Sequence, residues 1–372
     1  MMAQFLNSDW VVDLARNKVL SGVSDNVGDF DELMQVLLNM GTTDVTKITQ
    51  LKTVNLLEGG GKEIERAILY DDFDATGWYE GREELNTDDN RITQMAKTSM
   101  KSGYVSLSID KKTMRIIQGD EKRIKDHMEL KMKVGMITAV NTITDALFLY
   151  DDLLVGALNG SLNGLGQLVG RTVSTVLKGG IDRSWMNIDS SESGNEFWDS
   201  NAVNVSKTTA MLLDPTHQYY LPKVLDAAIS SAKYGGHKVS IIVMPEAIGN
   251  ILREIQRAHL HMTTDGNKDL GIVTLRHQGI PIIEPNSCPA YHIYGLQTKP
   301  AFQMGGETPV TGIKFARVMD TIKGIPKPMP FQLGQWVKPF NAMVWVSQLD
   351  WDCNLYCDNP RLNFMEGRIA ES

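Results

Sequence analysis

The feature that most constrains the fold is a long helical stripe of apolar residues within 119–150. Apolar side chains recur there in steps of three or four residues, at Ile124, Met128, Met132, Met136, Val140, Ile143, Leu147 and Tyr150. This spacing places them on one face of a single helix. A helix of about 30 residues is roughly 45 Å long. The sequence therefore predicts a stiff rod that exceeds the usual helix of a globular domain.

The segment before this helix predicts an extended hairpin. Residues 66–70 form a short apolar run, and Val105, Leu107 and Ile109 alternate with polar neighbours as in a β-strand. The stretch between these two strands is long, polar and charged. Connections of that length are uncommon in compact domains and usually have a function. We therefore predict that residues 66–118 form a long hairpin arm that projects from the body of the fold.

The remaining segments predict a mixture of helices and short strands. A helix is expected at 29–40, and two more are expected at 221–234 and from Pro245 to about His261. Residues 181–205 look polar and irregular. Short strands are expected at 239–243, 272–275, 280–283 and 291–296. Near the end, one face of a long alternating strand carries Met343, Trp345, Leu349, Trp351, Cys353, Leu355 and Cys357.

Composition and charge exclude several classes of protein. The chain has 372 residues, of which 42% are hydrophobic and 22% are charged, as in ordinary globular proteins. Its net charge of -8 argues against sequence-specific DNA binding, because such proteins carry a basic face. No apolar run is long enough to predict a membrane span, and Asp9 and Asp13 interrupt any signal peptide. We expect a soluble chain that is made in a reducing cytoplasm.

The three cysteines are expected to be reduced thiols. Cys353 and Cys357 lie four residues apart in the predicted closing strand. Four strand residues span roughly 13 Å, whereas a disulfide needs Cα atoms within about 7 Å. These thiols, and that of Cys288, should pack as small apolar groups.

Motifs for catalysis, cofactors or metals are incomplete. A phosphate-binding loop around Gly59–Lys62 would need glycine at 56 and Ser or Thr at 63, where the chain has Leu56 and Glu63. The glycines of 164–170 miss the dinucleotide-binding spacing by one residue. His259 and His261 would point to different sides of a helix, and the aspartates of 71–89 lack the pattern of a calcium loop. We therefore predict no catalytic residue, no cofactor and no metal site.

The order of elements resembles that of the tailed-bacteriophage major capsid proteins, whose fold is named after phage Hong Kong 97. The motifs that carry the resemblance are NGSLNGLGQLV at 159–169, SIIVMP at 240–245, GIPII at 279–283 and NLYCDNPR at 354–361. Each motif is degenerate, so the resemblance rests on the ordered set. It extends over nearly the whole chain from about residue 60.

The resemblance implies an α+β fold with five parts. They are an N-terminal arm (1–62), an extended β-hairpin loop (63–118), a peripheral domain with a spine helix (119–212), an axial domain (213–335) and C-terminal strands that return to the peripheral domain (336–372). It implies a structural protein without enzymatic activity or cofactor. Hexamers and pentamers of this protein would form the icosahedral head around double-stranded DNA.

The resemblance also implies partners and a location. The partners would be further copies of the chain, the packaged DNA without sequence specificity, and portal and scaffolding proteins, with no membrane involved. The protein would lie in the virion after assembly in the cytoplasm of the host bacterium. Two alternatives stay open. An encapsulin-like shell would enclose protein cargo instead of DNA, and a soluble enzyme with an α/β domain around 221–300 would be a small discrete particle with a deep pocket.

Candidate assembly residues lie on the predicted hairpin and helix. They are Trp78, Tyr79, Arg82, Arg91, Lys97, Met128 and Met132. Trp78 and Tyr79 are the strongest candidates, because exposed aromatic side chains often anchor interfaces. Packing of these two rings on the hairpin itself is the alternative, and the sequence does not separate the two roles.

Replacement of Trp78 and Tyr79 by alanine is expected to reduce the yield of assembled particles, because two interface anchors are lost. Particle yield can be measured by electron microscopy and sedimentation. Replacement of the nearby polar pair Asn86 and Thr87 by alanine is the control. An unchanged yield for the Trp78/Tyr79 variant would remove the anchor role.

Overall fold

In the computed structural model, the described residues are 33, 37, 63–69, 93–110, 121–148, 162–169, 184–190, 192–234, 237–259, 275–298, 300–303, 306–315, 318–319, 326–327, 331–334, 336–337 and 344–370. The helices are α1 (Glu121–Phe148), α2 (Leu165–Val169), α3 (Thr209–Leu213), α4 (Leu221–Ser231) and α5 (Glu246–His259). Short 3₁₀ turns lie at Glu196–Trp198 and Pro360–Leu362.

The strands, in chain order, are β1 (Glu63–Leu69), β2 (Thr93–Ser99), β3 (Lys101–Asp110), β4 (Ser184–Trp185), β5 (Ile188–Asp189), β6 (Asn201–Lys207), β7 (Ile241–Val243), β8 (Arg276–His277), β9 (Ile280–Ile283), β10 (Ile293–Leu296), β11 (Pro300–Gln303), β12 (Gly306–Pro309), β13 (Thr311–Phe315), β14 (Val318–Met319), β15 (Pro326–Lys327), β16 (Gln332–Leu333), β17 (Val344–Cys357) and β18 (Phe364–Ile369). The fold is therefore α+β.

The predicted long helix is confirmed as α1. It has 28 residues, which corresponds to about 42 Å. The described part of its apolar stripe is buried in the main core, with no member more than 2% exposed: Met132, Met136, Val140, Ile143 and Leu147. Gly135 lets the helix approach strand β3 closely, because a Cβ there would lie 2.6 Å from Leu107 Cδ2.

The longest strand, β17, contributes side chains to the same core as α1. It has 14 residues and pairs in antiparallel fashion with β3, β13 and β16. The predicted alternation is confirmed in the middle of the strand, since Leu349, Trp351 and Cys353 are buried while Gln348, Asp350 and Asp352 are exposed. Both sides are buried from 353 to 357, and Met343 lies outside the described residues. The ring of Trp351 lies over its cross-strand partner Gly103, where a Cβ would come within 2.5 Å of the indole.

The strand pairing of the predicted hairpin was wrong. The return strand of β1 is β2, in a seven-pair ladder from Glu63↔Ser99 to Leu69↔Thr93. The strand at 104–109 belongs to β3, which pairs with β17 over Val344↔Asp110 to Cys353↔Lys101. The physical reason is burial: Leu107 packs in the main core and Ile109 is only 2% exposed, which would not be expected of a strand in a projecting arm. Residues 70–92 lie outside the described residues.

A six-stranded sheet with order β6-β18-β10-β7-β9-β8 separates two cores. Neighbouring residues of the central strands β18, β10, β7 and β9 face opposite cores, as strand geometry requires. The side toward the main core carries Ile241, Val243, Ile283, Tyr294 and Met365. The other side carries Ile242, Ile282, Ile293 and Phe364, which pack with helices α3, α4 and α5. Leu33 and Leu37, in the predicted helix at 29–40, are helical and fully buried in the main core.

Two further expectations need correction. Residues 181–205 were predicted to be irregular, but they contain the hairpin β4–β5 and most of β6, which pairs in parallel with β18. Strand β6 was missed because a polar residue, Asn204, occupies one of its buried positions. A strand was predicted at 272–275, but Leu275 is not in a strand and the strand there is β8.

A buried ion pair joins β6 to β18. Lys207 Nζ lies 2.9 Å from Glu366 Oε2, with side chains 1% and 5% exposed. Lys207 also donates to the carbonyl oxygen of Val205 at 3.3 Å and lies over the ring of Tyr219. Burial raises the pKa of Glu366, and Lys207 opposes this rise. The pair therefore compensates only part of the cost of removing two charges from water.

Loss of one member of this pair is expected to cost more stability than loss of both. Glu366→Gln or Lys207→Met leaves a buried charge unpaired, which should lower the free energy of unfolding by about 3–5 kcal/mol. The double variant Lys207→Met with Glu366→Leu should cost less than either. Urea unfolding of the unassembled chain measures all three. Equal costs for single and double variants would contradict the coupling. Lys97→Met, in an exposed pair, should change stability little.

Candidate functional site

The candidate assembly residues near the tip of the predicted hairpin lie outside the described residues. These are Trp78, Tyr79, Arg82 and Arg91, so their roles stay predictions. Lys97 lies on the exposed side of β2, where its Nζ donates to Glu65 Oε1 of β1 at 2.8 Å. This hydrogen bond and the charge of Glu65 raise the pKa of Lys97.

The two candidate methionines lie on α1. Met128 is within the helix, but its side chain is outside the described part of the structure. Met132 is only 2% exposed and packs in the main core. The described contacts of Met132 therefore lie within one subunit.

The base of the β1–β2 hairpin is part of the body of the protein. Ile64, Ile68 and Ala96 are buried in the main core. The backbone N–H of Lys97 donates to the carbonyl oxygen of Met186 at 2.9 Å, which joins β2 to the β4–β5 hairpin. The other side of the ladder is exposed, with Met95 47% accessible. The hairpin thus starts from a fixed base.

A charged cluster ties the same hairpin to the end of β17. Arg66 Nε lies 3.0 Å from Asp358 Oδ1, and both side chains are largely buried. The guanidinium of Arg66 and the ammonium of Lys314 both lie over the ring of Tyr356, at 4.9 Å and 5.4 Å from its centroid. Cations near an aromatic face are attracted by the ring quadrupole. Two cations, one carboxylate and one ring therefore hold the base of the hairpin in place.

Asn354 adds neutral hydrogen bonds to this joint. Its amide donates to Thr98 Oγ1 at 3.1 Å and to the carbonyl oxygen of Ser99 at 2.7 Å. Its amide oxygen accepts from the backbone N–H of Asn163 at 3.0 Å. Asn354 is fully buried, so these bonds satisfy a group that would otherwise be costly to bury. One side chain thus connects β17, β2 and the segment that precedes α2.

The hairpin covers only one end of the outer face of the sheet formed by β3 and β17. Residues 354–358 lie under the hairpin base, and Val344 and Val346 at the opposite end of β17 are half-buried, whereas the part between them is exposed. We name the exposed part the open sheet face. It comprises Ser102, Tyr104, Ser106, Ser108 and Asp110 of β3 with Gln348, Asp350 and Asp352 of β17.

Acidic and hydroxyl groups dominate the open sheet face. Tyr104 is 68% exposed and pairs across the strands with Asp350. Asp350 and Asp352 project from the same side of β17. Partial burial, and the charge of Asp352, raise the pKa of Asp350. The two carboxylates therefore repel each other and would be stabilised by a cation from a partner.

The described residues contain no cluster of three or more His, Cys, Asp and Glu side chains that could hold a metal ion. The expectation that His259 and His261 point to different sides of a helix is not tested, because His261 and the side chain of His259 lie outside those residues. The prediction of free cysteines is confirmed, and all three are buried. Burial raises the pKa of Cys357 to about 11, so this thiol stays protonated near neutral pH. Among the described helices, none has the length and apolarity to span a membrane.

The pH dependence of stability is expected to depend on Asp358. Burial raises its pKa to about 6, while Arg66 and Lys314 oppose the rise. The folded chain therefore holds the Asp358 proton more tightly than the unfolded chain. Its contribution to stability is greatest in acid and falls as the pH rises from about 4 to about 6.

The variant Asp358→Asn removes this contribution. Relative to the native sequence, its free energy of unfolding should increase over the same pH range, as measured by urea unfolding at several pH values. Glu254→Gln, which removes an exposed carboxylate on α5, is the control. Parallel pH profiles for the native chain and Asp358→Asn would contradict the assignment.

Comparison with known proteins agrees with the fold predicted from the sequence. No protein-family model matches the chain, and no curated protein matches it. Among solved structures, the chain is similar to the capsid asymmetric unit of cyanophage A-1(L), with 15% identity and a TM-score of 0.56 over 92% of this chain and 93% of that chain.

Two other similar structures have lower TM-scores. The capsid of a native GTA particle has 12% identity and a TM-score of 0.48 over 83% of this chain and 86% of that chain. The SrpI encapsulin of Synechococcus elongatus has 11% identity and a TM-score of 0.45 over 84% of each chain. The cyanophage likeness extends over nearly the whole of both chains. The protein therefore has the fold of the cyanophage A-1(L) capsid.

Proposed function

We propose that this protein is the major capsid protein of a tailed bacteriophage, a structural subunit that assembles with copies of itself into an icosahedral head. The observation that carries the proposal is the likeness to a phage capsid structure over 92% of the chain. The proposed role is structural and involves no catalysis.

The five parts implied by the resemblance belong to this proposal. Helix α1 is the spine helix of the peripheral domain, and helices α4 and α5 belong to the axial domain. The β1–β2 ladder is the base of the extended loop. Strand pairing crosses the proposed domain boundary near residue 335. Strands β13 and β10 precede this boundary, and they pair with β17 and β18, which follow it. We therefore propose that the closing segment connects both domains.

The fixed hairpin base supports a role for residues 70–92 in contacts between copies. The ladder ends at Leu69↔Thr93, and the base is held by the main core and by Asp358. A loop that starts from a rigid base loses less conformational freedom when it binds a neighbour. A shell also needs several distinct contacts per subunit, and their contributions add by multivalency.

The proposed partners are further copies of the chain in hexamers and pentamers, the enclosed double-stranded DNA, and portal and scaffolding proteins. The net charge of -8 suits a shell that encloses DNA without gripping it, because tight binding to phosphates needs many cations. The location would be the virion, after assembly in the host cytoplasm. An encapsulin-like compartment remains the second candidate and differs in its contents.

Expression of the chain, alone or with its neighbouring genes, is expected to give closed shells of uniform diameter. Electron microscopy measures their size, and nuclease and protein analysis of the contents distinguishes DNA from protein cargo. A discrete monomer or small oligomer under all these conditions would contradict the proposal. Uniform shells that hold a protein cargo would favour the encapsulin-like alternative.

A loop replacement separates folding from assembly in the same experiment. In this variant, the dipeptide Asn-Gly replaces residues 70–92 and joins Leu69 to Thr93. Asn-Gly forms a two-residue turn of the kind that connects paired antiparallel strands. This variant should keep the unfolding midpoint of the native chain and should fail to form shells. A loop of native length with the order of its residues scrambled is the control for length. Normal shells from the Asn-Gly variant would exclude an assembly role for residues 70–92.

A further inference from the structure

A second surface of the protein has the opposite charge to the open sheet face. Lys233, Tyr234, His237 and Lys238 follow the end of α4, and all four are exposed. Tyr234 and His237 exchange two backbone hydrogen bonds, of 3.2 Å and 2.9 Å. The guanidinium of Arg361 lies 5.5 Å from the centre of the Tyr234 ring. We name these five residues the basic turn.

The backbone hydrogen bonds and the contact with Arg361 give the basic turn a defined shape. The bonds between Tyr234 and His237 fix the direction in which the chain reverses. Tyr234 is 53% exposed although one side of its ring faces Arg361, so much of the ring is available to a partner. A tyrosine of limited conformational freedom among cations is a typical anchor at protein interfaces.

The two surfaces match in the number and kind of their groups. The open sheet face presents two neighbouring carboxylates, on Asp350 and Asp352, beside the exposed Tyr104. The basic turn presents two exposed cations, on Lys233 and Lys238, beside the exposed Tyr234. Each surface has an exposed aromatic ring, which a Lys or Arg of the opposite surface could approach.

We propose that the basic turn of one copy docks on the open sheet face of a neighbouring copy. This inference rests on the proposed function and adds one specific contact between subunits. The two surfaces lie on different elements: one on β3 and β17, the other after α4. Such a contact is heterologous, and heterologous contacts build rings and lattices, whereas a self-complementary patch builds a dimer.

Charge favours a second copy over DNA as the partner of the basic turn. Duplex DNA would meet two exposed lysines on a chain whose net charge is -8, and firm phosphate binding uses more cations than that. A neighbouring copy instead offers carboxylates in equal number. The repulsion between Asp350 and Asp352 would also be relieved by a cation placed between them.

Charge reversal on each surface tests the contact. The variant Lys233→Glu with Lys238→Glu, and the variant Asp350→Lys with Asp352→Lys, should each raise the protein concentration needed for shell assembly at least tenfold. The combination of all four substitutions should restore that concentration to within about threefold of the native value. Light scattering during assembly measures it, and added salt should weaken the native contact.

A matched control changes the same charge elsewhere. Glu246→Lys with Glu254→Lys reverses two exposed carboxylates on α5 and should leave the assembly concentration unchanged. Urea unfolding of each unassembled variant confirms that it folds. If a reversal variant does not fold, a neutral variant of the same surface replaces it: Lys233→Gln with Lys238→Gln, or Asp350→Asn with Asp352→Asn. Each neutral variant should raise the assembly concentration by a smaller factor.

The outcomes separate this inference from the proposed function. Native shells with no effect of either reversal, or no rescue by the combination, overturn the docking contact and leave the capsid function intact. The variant Lys233→Glu with Lys238→Glu could instead bind duplex DNA more weakly while its assembly concentration stays unchanged. That result would make DNA the partner of the basic turn and would overturn the docking contact as well. Failure of the native chain to assemble under any condition overturns the proposed function itself.

Discussion

The pairing of β17 is the constraint on which the rest of the structure depends. This strand pairs with β3, β13 and β16. Its side chains alternate between an inner and an outer side, and the two sides have different roles. The inner side supplies Leu349, Trp351 and Cys353 to the core that α1 closes. The outer side is covered by the β1–β2 hairpin at one end and is open at the other. A register shift of one residue would exchange the two sides, burying Asp350 and Asp352 and exposing the core residues.

Buried charged groups of opposite sign form pairs where strands distant in sequence meet. These ion pairs contribute more to the specificity of strand pairing than to the stability of the fold. A buried ion pair seldom stabilises a fold more than apolar side chains of the same size would. Lys207–Glu366 and Arg66–Asp358 nevertheless each join strands that are distant in sequence. A wrong partner strand would leave one of these charges unpaired and buried. We interpret both pairs as devices that select one strand arrangement, with β6 beside β18 and the hairpin beside β17.

The sequence predicted the elements whose signals are local and missed those whose partners are distant. Helix α1 and strand β17 were predicted because their burial pattern repeats along the chain itself. Strand β2 was missed because Ala96 is its only buried residue, and its identity depends on pairing with β1. Lys207 and Glu366 are 159 residues apart, and no local pattern relates them. The predicted alternation of β17 also implies that Asp350 and Asp352 are exposed, although neither was among the candidate assembly residues.

The candidate assembly residues were harder to predict because the helical stripe does not distinguish a core from an interface. An apolar face of a helix is buried by the same physical effect whether the covering surface belongs to its own chain or to a neighbour. Met132 illustrates this point, since the chain's own core covers it. The two surfaces that we propose for a neighbour, the basic turn and the open sheet face, are instead polar and charged, and each is small. Contacts of this kind are individually weak and reversible, so a misplaced subunit can dissociate before a shell closes, while the sum over many subunits holds the closed shell together.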